Sequence, residues 1–374
     1  MRIGIDVGIL REERRGVGHY LSNLLEKFLE LDRDDEFYFY TPRPIKSEIR
    51  EEIIKKGANN WHLRIGTLPL PGSFWLQTEG KHLIIKDRIE TFFGTCNILP
   101  ITLPRNVKKI LAIHDLLSIF YPTTMANYNR FVHKLFFRKS LERADRVIAM
   151  SNAMKQDIIR YLGIAEEKII VIYEGVKKIF HPQEKEKVPF IRARYNLLKP
   201  YILSVGTLEP AKNHITLIRA FSRLKFDWDL VIIGKKGWKY QNIFSTISEL
   251  KLSERTKVIG YVSIEDLPPF YCGAEIFVFP SLYEGFGLPL LEAMACGVPV
   301  VSSNASCLPE IGGDACLYFA PHSVEDLVSQ MERLLSDSNL RKELAKRGIE
   351  RAREFTWEKT ARKTLQVLKG DEII

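Results

Sequence analysis

The sequence predicts an α/β protein built of two doubly wound domains, each a parallel sheet with covering helices, facing each other across a cleft. Three observations predict it. Short apolar runs alternate with amphipathic stretches almost from end to end, as strands alternate with helices in parallel sheets. The alternation breaks once, between about Lys177 and Pro200, where the chain is charged, carries three prolines and has no strand-like run. The length of 374 residues suits two to three domains at ~150 residues each. With 45% hydrophobic and 27% charged residues, the composition excludes a mainly disordered or collagen-like chain.

The first half opens on the strand-like run Arg2–Val7, followed at once by Arg11, Glu12 and Glu13. It has neither the basic start nor the apolar run and cleavage site of a signal peptide. No stretch approaches the ~18 uninterrupted apolar residues of a membrane span, so the expected location is cytoplasmic. Next comes Arg15-Gly16-Val17-Gly18-His19, which leads into a helix-like segment, Gly18–Leu31. Glycines let a ligand approach the backbone, and a helix start favours an anion. Leu21 stands where a third glycine would complete G-x-G-x-x-G, so a dinucleotide fingerprint is not supported and a structural turn is the alternative. Strand-like runs follow at Phe37–Tyr40 and Lys109–Ile113, the second ending at His114-Asp115. A histidine at that end of a sheet strand either hydrogen-bonds a sugar hydroxyl or shuttles a proton, or it caps the next turn. Arg146–Ala149, the helix-like Asn152–Leu162 and Ile169–Tyr173 complete this half.

The second half starts with the strand Tyr201–Val205 and then Gly206-Thr207-Leu208-Glu209-Pro210-Ala211-Lys212-Asn213, before a helix-like His214–Leu224. A glycine turn, a lysine and a helix start in one place suit a phosphate. Ala211 and Asn213 depart from the G-x-x-x-x-G-K-[ST] loop, which disfavours a triphosphate-cleaving enzyme and leaves diphosphate binding open. Strands are expected at Leu230–Ile233, Thr256–Ile259, Ile276–Phe279 and Pro299–Ser302. Behind Ile276–Phe279 lies the densest segment, Pro280 to Gly297. Gly285 and Gly287 free its loop, Pro289 suits a first helical turn, and Gly297 suits the end of the helix Leu288–Cys296. Glu284 and Glu292 both belong to this loop–helix unit. Carboxylates accept hydrogen bonds from sugar or ribose hydroxyls, and loop amides suit phosphate. Glu292 could instead be a carboxylate favoured by the helix dipole. Glu284, between Tyr283 and Gly285, has no obvious structural duty. Asp326–Leu368 reads as successive amphipathic helices, interrupted near Phe355–Trp357.

Five cysteines, Cys96, Cys272, Cys296, Cys307 and Cys316, form no C-x-x-C pair and read as reduced, mostly buried residues; no metal site is expected. Charge is uneven. Residues 1–180 hold 29 basic and 22 acidic side chains, and 101–150 alone hold 9 and 3. Such a surface suits an anionic partner or is simply solvated.

Glu284 and Glu292, as E-x7-E within PSLYEGFGLPLLEAMACGVPVV, resemble the motif of the family-4 retaining glycosyltransferases. SVGTLEPAKNHITLIRAF, LVIIGKKGW, VIGYVSIEDLPPFY, LPEIGGDACLYFAP and FTWEKTA fall in that family's order. RRGVGHYLSNLL, AIHDLLSIFYP and VIAMSNAMKQDI with VIYEGV fit as well, so the likeness spans nearly the whole chain. It implies the GT-B fold, with two Rossmann-like domains. The expected divisions are an acceptor-side domain over residues 1–176 and a linker over 177–199. A nucleotide-sugar domain over 200–355 follows, and a C-terminal helix over 356–374 crosses back to the first domain.

The resemblance also implies roles. Glu284 would contact the hydroxyls of the donor sugar, while the backbone of Gly285, Phe286, Gly287 and Leu288 holds sugar and diphosphate. Glu292 would bind the ribose. Lys212, beside Gly206 and Thr207, would neutralise the diphosphate. Gly16 and Gly18 would line the phosphate or acceptor side, and His114 would contact the sugar near its anomeric centre. No metal or cofactor is implied beyond the nucleotide sugar itself. Thr207 and Ala211 stand where many members carry arginine, leaving Lys212 and backbone donors, with Arg15 or Lys235 as helpers.

The expected function is retaining transfer of a hexose, with mannose from GDP-mannose as the first donor, to a glycan or lipid-linked acceptor in cell-surface polysaccharide biosynthesis. A nucleotide-sugar 2-epimerase and an inactive scaffold of the same fold are the alternatives. Phe131–Arg146 mixes aromatic and basic residues and reads either as an amphipathic helix against an anionic membrane surface on the inner leaflet or as a packed helix with a solvated face. No aromatic–basic module supports nucleic acid.

Overall fold

In a computed structural model, which describes residues 1–11, 16–46, 50–51, 60–124, 127–183 and 187–371 with the side chain of Asn129 excepted, the apolar runs become the strands of two sheets. The first has seven strands, β1 (Arg2–Asp6), β2 (Glu36–Thr41), β3 (Trp61–Ile65), β4 (Thr91–Gly94), β5 (Lys108–Ile113), β6 (Arg146–Ala149) and β7 (Ile169–Val171), in the order β3-β2-β1-β4-β5-β6-β7. The second has six, β8 (Tyr201–Val205), β9 (Asp229–Ile233), β10 (Thr256–Gly260), β11 (Ile276–Phe279), β12 (Val300–Ser303) and β13 (Cys316–Phe319), in the order β10-β9-β8-β11-β12-β13. Every pairing is parallel. Central strands such as β9 and β11 are buried along their length, which is why they read as unbroken apolar runs rather than alternating ones.

Two compact units result. One comprises Met1–Asp115, Asn127–Gly175 and Trp357–Ile374; the other comprises Leu116–Ala126 and Val176–Thr356. The charged stretch after Lys177 counts with the second unit and contains a short helix, Lys187–Arg194, anchored by buried Ile191.

In the second unit, one layer of the core joins Ile202, Leu230 and Val278 of the sheet to Leu217 and Phe221 of the helix His214–Phe221 and to Leu327 and Met331 of the helix Val324–Ser336. Each such side chain stabilises by about 1.5–3 kcal/mol when fully buried. Local signals set the helix ends. Ser323 caps Val324–Ser336 by accepting from the Asp326 amide, and Asp337 does the same for Ser338–Ala352. In the first unit, Ser151 caps Asn152–Leu162 and Gly163 ends it in the left-handed region.

The last helix, Trp357–Lys369, is part of the first unit. Thr360 Oγ1 donates to the Tyr173 carbonyl at 2.8 Å, and Lys369 Nζ lies 2.8 Å from both Asp32 Oδ2 and Asp35 Oδ2. Lys108 Nζ donates to the carbonyl of Val367, satisfying an acceptor that the helix end leaves open.

Candidate active site

In the second unit the strand order runs outward in both directions from β8 and β11, so the chain leaves these two neighbours toward opposite edges. Ligands of open α/β sheets bind at such a switch point, beside the carboxyl ends of the strands. The loop after β8 is Gly206–Asn213 and the loop after β11 is Pro280–Gly287.

These loops meet through side chains. Lys212 Nζ donates to Glu284 Oε1 at 2.6 Å, and Ser281 Oγ donates to the same oxygen at 2.6 Å. Asn213 reaches across as well, its Nδ2 donating to the Pro280 carbonyl at 3.1 Å and the Pro321 carbonyl at 2.7 Å. Asn213 adopts the left-handed region (φ 55°), which asparagine tolerates better than most residues, and so turns the chain into the helix starting at His214. Gly234 at the end of β9 is a steric requirement: a Cβ there would lie 1.8 Å from the Gly206 carbonyl oxygen.

The amides of the first loop are mostly engaged. Gly206 N–H donates to the Ile233 carbonyl and Leu208 N–H to that of Lys235, both at 2.9 Å. What the loop presents is therefore the Lys212 cation more than its amides. Thr207, half-buried, accepts from the Glu209 amide through its carbonyl. The second loop differs. Among the described residues, no main-chain carbonyl accepts from the amides of Gly285, Gly287 or Leu288, which stand at the start of the helix Leu288–Ala295. Such amides, with the positive end of the helix dipole, make an anion site. Gly287 has φ 97° and a Cβ there would meet Leu308 Cδ2 at 2.8 Å, so glycine is needed. Phe286 is buried with its ring against Phe355. Gly297, left-handed at φ 74°, follows the helix end at Ala295.

Glu292 is not the carboxylate of a helix dipole. Its Oε2 accepts from the Tyr271 hydroxyl at 2.9 Å, and burial pushes its pKa up to about 8, against the lowering effects of that hydrogen bond and of Lys177. A group near neutral at pH 7 can both donate and accept, as recognition of a vicinal diol requires. Tyr271, Ser281 and Ser306 escaped the sequence reading, which took Cys307 only as a buried cysteine; the segment LPEIGGDACLYFAP, directly after Cys307, was the nearest signal.

The remaining candidates belong to the first unit. His114 is buried, its Nε2 lies 2.9 Å from the Thr95 carbonyl oxygen, and its Nδ1 lies 3.6 Å from Glu174 Oε1. Tyr20 packs edge-on against the ring, with centroids 4.6 Å apart. The imidazole is therefore held by Thr95 and Glu174 and does not serve as a cap for the following turn. Gly16 (φ 27°) and Gly18 lie in the first turn of the helix Gly16–Leu31, which begins two residues earlier than the apolar pattern implied. Arg15, one of the expected helpers, lies outside the described residues. Lys235, the other, sits over the Tyr261 ring at 4.1 Å. Among the described residues, no group of three His, Cys, Asp or Glu side chains is placed to hold a metal ion.

Two parallel sheets with covering helices, the second in a Rossmann-like strand order with a lysine and a glutamate meeting at its switch point, make this an α/β protein of GT-B type. Residues 188–351 match the glycosyl transferases group 1, and residues 14–178 match Glycosyltransferase Family 4. The O-antigen chain mannosyltransferase B of Escherichia coli is 32% identical over 278 residues, covering 71% of this chain and 72% of that protein. The serotype-specific mannosyltransferase WbdA of Escherichia coli is 31% identical over 291 residues, 73% of this chain but 35% of that protein, so the chain spans about a third of its length. In fold, the chain is similar to Anabaena Alr3699/HepE in complex with UDP-glucose, with a TM-score of 0.79, 16% identity and coverage of 99% and 100% of the two chains. The chain belongs to the group 1 glycosyl transferases of family 4 and is a glycosyltransferase.

Proposed function

We propose that this glycosyltransferase moves a hexose from a nucleotide diphosphate sugar to an acceptor hydroxyl with retention at the anomeric carbon. The observation that carries this reading is the 2.6 Å pair of Lys212 and Glu284 beside the open amides of Gly285, Gly287 and Leu288. Diphosphate charge grows as the glycosidic bond breaks, and a positioned cation and helix-start amides stabilise it where it develops. The acceptor hydroxyl then attacks from the face the nucleotide leaves, with its proton passing to the departing phosphate. Glu284 takes the sugar hydroxyls and Glu292 the ribose. No side chain is assigned as a covalent nucleophile.

The names of the two mannosyltransferases support mannose as the sugar and a cell-surface glycan or its lipid-linked precursor as the acceptor. GDP-mannose is the first donor to test. A calorimetric titration of GDP, UDP, ADP and their common sugars into wild type and Glu284→Ala tests the site. Selective binding of one nucleotide, with the increment from the sugar lost in the variant, is the expected result. Release of nucleotide and epimerised sugar without acceptor would replace transferase by 2-epimerase, and an inverted anomeric product would overturn retention.

A second observation favours peripheral contact with an anionic membrane. On the helix Asn127–Arg143, Tyr128, Phe131 and Leu135 are exposed together with Arg130, Lys134, Arg138 and Lys139. The helix stops before Arg146, which begins β6 instead of continuing the amphipathic face. Among the described residues no helix is long and apolar enough to cross a membrane.

A further inference from the structure

We propose that Ser306 and Cys307 are positioning residues for recognition of the donor sugar, clamping the backbone of Glu284 so that its carboxylate is presented to the sugar hydroxyls; the inference rests on the donor-site reading above. Ser306 lies at φ 47°, in the left-handed region that non-glycine residues seldom adopt. Its hydroxyl does two things there. It accepts from the Glu284 amide at 2.9 Å and donates to the Glu284 carbonyl at 2.9 Å. The neighbouring Cys307 Sγ shares its single proton between that same carbonyl, at 3.3 Å, and the Phe286 carbonyl, at 3.2 Å. Three hydrogen bonds from two consecutive side chains thus converge on one residue's main chain.

The thiol is suited to that work. Cys307 is fully buried, and burial with the nearby Glu284 and Glu310 carboxylates holds its pKa well above the ordinary value. It therefore stays protonated as a donor and is not a nucleophile. The carboxylate end of Glu284 is fixed separately, by Ser281 and Lys212, and Ser303 Oγ in turn donates to the Ser281 carbonyl at 2.6 Å. Side-chain rotamer and backbone position are consequently set by different groups. Lys212 reaches the diphosphate from the other loop, whereas the clamped carbonyls of Glu284 and Phe286 share peptide groups with the Gly285 and Gly287 amides. Loss of the clamp should then weaken sugar recognition, which rests on Glu284, more than nucleotide recognition, which keeps Lys212 and the Leu288 amide; general destabilisation of the loop does not produce such a split.

The experiment is calorimetric binding of GDP and GDP-mannose, and of UDP and UDP-glucose, to wild type, Ser306→Ala, Ser306→Asn and Cys307→Ala, with thermal midpoints recorded. The pair of ligands that wild type binds is the one compared. Ser306→Ala is expected to lower nucleotide-sugar affinity about tenfold while nucleotide affinity stays within about twofold. Ser306→Asn, which tolerates the left-handed backbone and keeps a donor and an acceptor, should recover part of the loss. Cys307→Ala should show the same split more weakly, and it decides the matter if Ser306→Ala does not fold. Equal loss for both ligands, or no loss for either, in the folded variants overturns the positioning role alone. Failure of wild type to bind any of the four ligands overturns the donor-site reading and the inference with it.

Discussion

Lys212 and Glu284, 72 positions apart in sequence, place Nζ and Oε1 within 2.6 Å of each other on the loops that follow β8 and β11. The crossover that makes β8 and β11 neighbours is what brings them together, with the backbones in register at Ile202 and Ile276. The two side chains are only 21% and 13% exposed, so solvent screens their attraction incompletely. In the proposed function this pair holds the lysine toward a diphosphate and the carboxylate toward hydroxyl donors.

Replacing Lys212 by alanine should therefore act on binding more than on folding. One charge-assisted hydrogen bond is worth about 1.5–3 kcal/mol, which corresponds to roughly a 10–100-fold loss of nucleotide diphosphate affinity. Glu284 keeps Ser281 as a partner in the variant, so the folded state is expected to persist with a modest fall in thermal midpoint. Titration calorimetry and thermal denaturation check the two halves. Full activity of Lys212→Ala would refute this account of the phosphate site.

Much of this arrangement was legible in the sequence, because glycine turns and apolar strand runs are local signals. The strands that bear the site, Tyr201–Val205 and Ile276–Phe279, coincide with their apolar runs. Three strands were not legible. β4 (Thr91–Gly94) offers only Phe92 and Phe93 between a threonine and a glycine, β13 (Cys316–Phe319) is half-exposed at a sheet edge, and β3 (Trp61–Ile65), at the edge of the other sheet, interleaves His62 and Arg64, which masks its period. In the site itself, Gly287 and the two glutamates stood out, whereas Ser281, Ser306 and Tyr271 did not. Small hydroxyls and a tyrosine acquire meaning only through what the fold places opposite them, and Ser306 meets Glu284 across 22 positions.

Glu292 gives the fold a pH dependence whose sign follows from its raised pKa. Folded, the carboxyl is pushed up to about 8; unfolded, it returns to its ordinary value of 4.5. The folded state then binds more protons between these values, so the contribution of Glu292 is fully present below about pH 4.5 and is lost as pH rises to about 8. Glu292→Gln removes the ionisation while keeping a partner for Tyr271. Its thermal midpoint should fall less than that of wild type between pH 5 and pH 8 by this linkage. Parallel curves for the two proteins across that range would show that the carboxyl is not held neutral.

The helix Asn127–Arg143 carries the last prediction. Its inward side is filled by Val132, Phe137, Ser140 and Leu141, so the core does not need Tyr128, Phe131 and Leu135, which are 49%, 53% and 38% exposed. These three lie at i, i+3 and i+7, one stripe of the helix, and Lys134 and Lys139 stand exposed on the same element. An apolar stripe edged by cations fits the headgroup region of an anionic bilayer, where each basic residue near the surface contributes about 1 kcal/mol. Reversing both charges, Lys134→Glu with Lys139→Glu, should weaken sedimentation with phosphatidylglycerol vesicles by more than about tenfold. Phe131→Ser should weaken it at all salt concentrations, because burial of a ring is not screened. Binding of wild type should itself decline as salt is raised. Equal recovery of wild type with neutral and anionic vesicles would leave the stripe as an ordinary solvated face and remove the membrane from the account of this enzyme.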